Sequence, residues 1–150
     1  MSVHPPARRR SCGFTAIELL IAMVIAAILA AIAYPSFRGV VDRSRRADAI
    51  GALMIAQLAQ ERWRANQLAY GNLGDIGVAS KSSAGHYLLA ASALTASGYE
   101  LLASAVGVQQ RDADCRHLRL AMAGAQVVYA SGPDATVANP SDLNRRCWSL

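Results

Sequence analysis

The chain has no glycine-rich phosphate loop, no Gly-x-Ser-x-Gly elbow and no His-Glu-x-x-His helix. Those absences remove the common nucleotide-hydrolysing, serine-hydrolase and zinc-protease designs, because each needs its groups at that spacing on one turn or face. The three histidines, His4, His86 and His117, lie far apart, so no catalytic cluster forms locally and the chain is expected not to be an enzyme. Lipoprotein processing is excluded, since Cys12 follows Arg10 and Ser11 rather than apolar residues. There is no internal repeat. Aromatic residues make up only 6% of the chain, so a domain of this size has few large side chains to fill its core. Charge is wholly missing from residues 19–34, the feature from which the rest follows.

Residues 14–34 carry one charge, Glu18. As a helix this stretch spans roughly 31 Å, the thickness of a bilayer's hydrocarbon core. Arg8-Arg9-Arg10 precede it, which by the positive-inside rule keeps the N-terminus cytoplasmic. Three readings compete: a short leader cut before the apolar helix, a secretory signal cut after Ala31-Ile32-Ala33, and an uncut anchor. Glu18 decides against the second. A carboxylate in a membrane helix costs about 2.5 kcal/mol or more at the centre, so it weakens insertion unless it finds a partner. A free α-amine created at Phe14 is such a partner, four residues or about 6 Å away along a helix.

The net charge of +5 includes the three leader arginines. Without residues 1–13, 12 basic and 10 acidic side chains remain, so the basic balance is weak support for a nucleic-acid partner. The three cysteines sort by side of the membrane. Cys12 stays in the leader, and Cys115 and Cys147 lie in the exported part. An even pair in an oxidising space reads as a disulfide, the alternative being two free buried thiols. Cys115, His117 and Cys147 also offer three zinc donors, but two of them stand one residue apart and the compartment oxidises thiols. No metal or cofactor is expected.

Pro35 should kink the helix, or the helix should break and restart at Ser36. Beyond it Ala47, Ile50, Met54, Leu58 and Ala65 recur at helical steps with Leu53 alongside, a stripe suited to covering a sheet, while Arg43, Arg46, Arg62 and Arg64 fall elsewhere around the helix. This helix should end at 66–69, and Gly71, Gly74 and Gly77 open a loop. Strands are expected at 86–92, 99–105, 118–122 and 126–130, the last two joined in a hairpin at Gly124. Residues 131–150 read as mostly turn and loop.

The run Gly13-Phe14-Thr15…Glu18 after a basic leader, Pro35, Gly98-Tyr99-Glu100-Leu101 and the Cys115…Cys147-Trp148 pair resemble the type IV pilin family, minor pilins included. Ala16 departs from the leucine common at its place. The resemblance implies an α+β, pilin-like fold: a long N-terminal helix, membrane-embedded in its first half, on a four-stranded antiparallel sheet, with a disulfide-bounded C-terminal loop. It implies a leader at 1–13, an anchor and filament-core segment at 14–35 and an exported head at 36–150. A prepilin peptidase would cut between Gly13 and Phe14 and methylate the Phe14 amine. Partners would be the membrane, other pilin subunits and the inner-membrane pilus assembly machinery. The subunit would be an inner-membrane protein with a periplasmic head, then part of an extracellular pilus serving adhesion, twitching motility or DNA uptake. Glu18 would set recruitment and register by pairing with a neighbour's Phe14 amine. Alternatives are a type II secretion pseudopilin and a DNA-binding competence pilin. In the last, Arg116, Arg145 and Arg146 around the disulfide would contact phosphates, although Asp112, Asp114 and Asp142 dilute that patch.

Overall fold

A computed structural model describes residues 14–149; the leader, with Gly13 and Cys12, lies outside the described residues. The chain divides into two compact units, Met1–Arg38 and Gly39–Leu150.

In the first unit the described chain is the start of helix α1, which is assigned over Ala16–Arg64. It runs through Pro35 without a break, so no new helix starts at Ser36. Every residue from 14 to 34 is exposed, and an 18-residue window of this helix has a mean hydropathy of 2.7 with none of it buried. An apolar surface of that extent is stable only against lipid or other apolar helices.

The second unit holds the rest of α1 and a four-stranded antiparallel sheet in the order β1-β2-β3-β4. The strands are β1 (Tyr87–Ser92), β2 (Gly98–Ala105), β3 (His117–Ala123) and β4 (Gln126–Gly132). Alternation explains the sheet. In β2 every second residue, Tyr99, Leu101, Ala103 and Ala105, is buried, and in the paired register Leu101 faces Leu120 and Ala103 faces Leu118. The β3–β4 turn puts Gly124 at φ +60°, a conformation glycine adopts without a steric penalty.

The face of α1 that covers the sheet differs from the expected one. Arg46, Ala49, Leu53, Ala56 and Gln60 are buried, spaced three and four residues apart, whereas Ala47, Met54, Leu58 and Ala65 are exposed. Arg46 therefore belongs to the packed face and not to the solvated one. The covering stripe is narrow and built from small residues with a polar group at each end. Gln60 is satisfied by a reciprocal pair with the backbone of Gly71, donating at 2.6 Å and accepting at 3.0 Å. Helix α1 stops at Arg64, two residues short of the expected end, where Arg64 Nη1 donates to the Gln67 carbonyl at 2.6 Å.

The C-terminal stretch is not all turn and loop. Helix α2 (Ser141–Trp148) lies against β4. Asp142 in its first turn and Arg145 and Arg146 in its last complement the helix dipole. Trp148 packs against Tyr129 with ring centroids 4.8 Å apart and planes tilted 57°, and its Nε1 donates to the Ala130 carbonyl at 2.9 Å. Asn144 donates to the Tyr129 carbonyl at 2.8 Å. Two short 3-10 turns, Gly107–Arg111 and Ala113–Cys115, connect β2 to β3.

Candidate functional site

At the N-terminal end, Thr15 caps α1. The Glu18 amide donates to Thr15 Oγ1 at 3.3 Å, and the Thr15 hydroxyl reaches Glu18 Oε2 at 3.5 Å. Leu19 N closes the first helical turn on the Thr15 carbonyl at 3.2 Å. This is the Ser/Thr-x-x-Glu capping pattern, and it gives Glu18 a local duty beside any assembly role. Its signal, Thr15-Ala16-Ile17-Glu18, is legible in the sequence. The cap keeps Glu18 in the first helical turn, four residues along the chain from Phe14, which is 71% exposed. The helix presents it on a surface that is otherwise uncharged as far as Tyr34.

In the head, Cys115 and Cys147 are joined by a disulfide with their Cα atoms 5.4 Å apart. That bond removes them as thiolate ligands, and no group of three or more metal-binding side chains occurs among the described residues. The disulfide brings the segments carrying Arg116 and Arg146 together. Their electrostatics are not those of three free cations. Arg146 pairs with Asp114 at 2.7 Å and Arg145 with Asp142 at 2.8 Å, all four side chains more than half exposed. Arg116 Nε donates to the Gln110 carbonyl at 2.6 Å, and among the described residues it makes no ion pair. Arg111 is bound by Asp42 at 3.0 Å, and Arg119 lies 3.9 Å from Glu100.

Arg46 is the residue the sequence hid. It is 8% exposed and reaches from α1 into the disulfide region, with Nε 3.2 Å from Asp112 Oδ2 and Nη1 donating to the Arg146 carbonyl at 3.1 Å. Burial pushes the Asp112 carboxyl above its ordinary range, and the Arg46 charge works against that rise. Near the sheet, burial raises the Tyr87 hydroxyl to about 12, keeping it a neutral partner of Gln109 at 3.2 Å. Both groups serve packing. Asp112 through Arg46, and Gln109 by donating to the Asp42 carbonyl at 3.3 Å, clamp α1 to the loop between β2 and β3.

Two family models match the chain. One, described as a prokaryotic N-terminal methylation motif, covers residues 8–34. The other, described as type IV minor pilin ComP, DNA uptake sequence receptor, covers residues 35–119, more than half of the chain. No curated protein matches it.

Proposed function

Because the chain belongs to the type IV minor pilin ComP family and is a minor pilus subunit, we propose that it enters the filament through Phe14 and Glu18 and contacts DNA with its head. The carrying observation is the Thr15-capped Glu18 at the start of a wholly exposed apolar helix. The leader 1–13 is cut between Gly13 and Phe14 and the new amine is methylated. Segment 14–35 then anchors the subunit with its N-terminus cytoplasmic and its head, 36–150, in the periplasm. Pro35 removes one backbone donor from the helix and so marks the place where it yields on assembly.

Assembly follows from electrostatics. In lipid the Glu18 carboxylate can use headgroup water near the membrane surface. In a filament it is surrounded by apolar helices and takes the Phe14 ammonium of a neighbour. Removing one side of a buried pair costs about 3–5 kcal/mol, enough to select one register. Ala22, Ala26, Ala27, Ala30, Ala31 and Ala33 let these helices approach closely. On the head helix Val40, Ile55 and Leu58 stay more than half exposed and extend the same apolar contact.

For the DNA contact, the family's description as a receptor of DNA uptake sequence supports a nucleic-acid partner. It favours the competence reading over that of a secretion pseudopilin. Arg116, Arg145 and Arg146, flanking the disulfide, are the phosphate-contacting candidates. Exposed ion pairs are worth little, so Asp114 and Asp142 can exchange their arginines for phosphates at small cost.

N-terminal sequencing of the mature chain tests processing; a start at Tyr34 overturns it. Glu18→Ala should drop out of sheared filaments, and incorporation at the wild-type level overturns the pairing. Duplex binding across a salt series, with the three arginines replaced, should show a shallower salt slope than wild type.

A further inference from the structure

We propose that the cleft between Arg116 and His117, at the end of the sheet's outer face, seats a single phosphate group. Ser104, Gln110, Arg116, His117 and Asp134 line it. This rests on the DNA reading for its natural ligand, and the geometry stands apart from it. Ser104 and His117 are register partners on β2 and β3, and Ser104 Oγ lies 3.0 Å from His117 Nδ1. That contact occupies one ring nitrogen and leaves Nε2 for a ligand. On the preceding residue, Arg116 spends Nε on the Gln110 carbonyl, which orients the planar guanidinium and, among the described residues, leaves both terminal nitrogens for the fork geometry that suits phosphate.

The groups facing His117 set how the seat responds to pH. Burial lowers the imidazole below its ordinary value, Asp134 opposes that, and Arg116 adds to it. The ring is therefore neutral in the empty cleft at neutral pH. An arriving phosphate brings negative charge beside it, so proton and phosphate bind with mutual support, and affinity rises as pH falls through the imidazole's range. Asp134 is the opposing charge. Its Oδ1 accepts from Thr136 N at 2.9 Å and from Thr136 Oγ1 at 2.6 Å, bonds that keep it ionised. It is fully exposed, so water and salt screen its repulsion of the ligand.

The test uses the full-length chain in detergent, with a short DNA duplex and, separately, inorganic phosphate as probes. Binding of the duplex by wild-type protein should tighten several-fold between pH 7.5 and pH 5.5. His117→Gln should abolish that increment. Arg116→Gln should weaken binding about tenfold at both pH values, the loss of a charge-assisted fork. Arg62→Gln, an equal charge loss on the exposed surface of α1, should cost clearly less. Asp134→Asn should bind more tightly than wild type, a gain that a folding defect does not produce. Inorganic phosphate should shift the His117 ring resonance in NMR and raise its titration midpoint. If Arg116→Gln weakens duplex binding no more than Arg62→Gln, or His117→Gln keeps the pH increment, the seat is overturned while DNA binding stands. If wild type binds no duplex yet phosphate moves the His117 resonance, the DNA reading falls and the seat remains. A phosphate titration that leaves His117 unmoved overturns the seat.

Discussion

Arg46 Nη1 donates to the Sγ of Cys115 at 3.0 Å, so the head helix touches the disulfide directly. The two residues lie 69 positions apart, and through this contact one guanidinium serves α1, the turn holding Asp112 and the backbone at Arg146. The disulfide stabilises more than its own loop, because it positions acceptors for a cation that has few other places to go. Around this knot, among the described residues, the arginines sort into the buried Arg46 clamp, the exposed pairs of Arg145 and Arg146, and Arg116, whose Nε alone is engaged.

Arg46→Ala should destabilise the head by about 3 kcal/mol, because it strands the Asp112 carboxylate in a mostly buried position. Urea unfolding of the single variants and of Arg46→Ala/Asp112→Ala provides the check. The double variant should lose less than the sum of the two singles, since with both removed no buried charge is left unpaired.

Opening the Cys115–Cys147 bond should cost about 3–4 kcal/mol for a loop with a sequence separation of 32. Comparing urea midpoints with and without reductant, and with the double serine variant, measures it. The reduced protein should also lose the near-ultraviolet signal of Trp148, since that ring packs α2 on β4 and the disulfide ties α2 to the turn at Cys115.

Leu53→Ala should cost about 3 kcal/mol, as a fully buried side chain leaves a cavity between α1 and the sheet. Leu58→Ala, at 53% exposure on the same helix, should change stability by less than about 0.5 kcal/mol. Thermal melts of the two variants side by side decide whether the packed face has been assigned correctly. Equal losses would contradict it.

Stability should fall on acidification in two windows. Burial and Arg116 hold the folded His117 below its ordinary value, so the unfolded chain takes up the proton first. That contribution is present above about pH 6.5 and is lost as pH falls through the folded value. At Asp48 burial alone would raise the carboxyl, but the Ala84 amide, which donates to Oδ1 at 3.0 Å, and the nearby Ser82 and His86 bring it below its ordinary value. Its stabilisation is present above about pH 4 and is lost as pH falls further. Denaturation midpoints measured from pH 8 to pH 3 should show both steps. His117→Gln should remove the upper one and Asp48→Asn the lower one.

The four strands and the hairpin at Gly124 were legible because alternation and a turn glycine act over a few residues. The packed face of α1 was legible only in part: Leu53 and half-buried Ile50 lie on it, whereas Ala47, Met54, Leu58 and Ala65 do not. The helix carries apolar groups on two faces, and hydropathy favours Met54 and Leu58 over Ala49 and Ala56, although the smaller residues lie on the sheet. Buried Arg46 and Gln60 complete that face only because Cys115, Asp112 and Gly71 arrive from elsewhere to satisfy them. Helix α2 was missed for a similar reason. It is short and mostly hydrophilic, and Trp148, Asn144 and the disulfide hold it from outside, although Asp142 early and Arg145 and Arg146 late were capping signals in plain view.

By itself the sequence determined what depends on neighbours along the chain: an apolar span long enough for a membrane, its lone acid, the basic run before it and the processing motif. Length and charge carry the first three without a fold, and the motif is carried by its resemblance to pilin leaders. Tertiary structure alone decided which arginines are spent on aspartates, which one keeps its terminal nitrogens, and that His117 stands beside Ser104 at the mouth of a cleft. Those outcomes turn on charges and dipoles meeting across long stretches of chain. An interaction that falls off over a few ångströms is set only when the sheet and the disulfide bring its partners within reach.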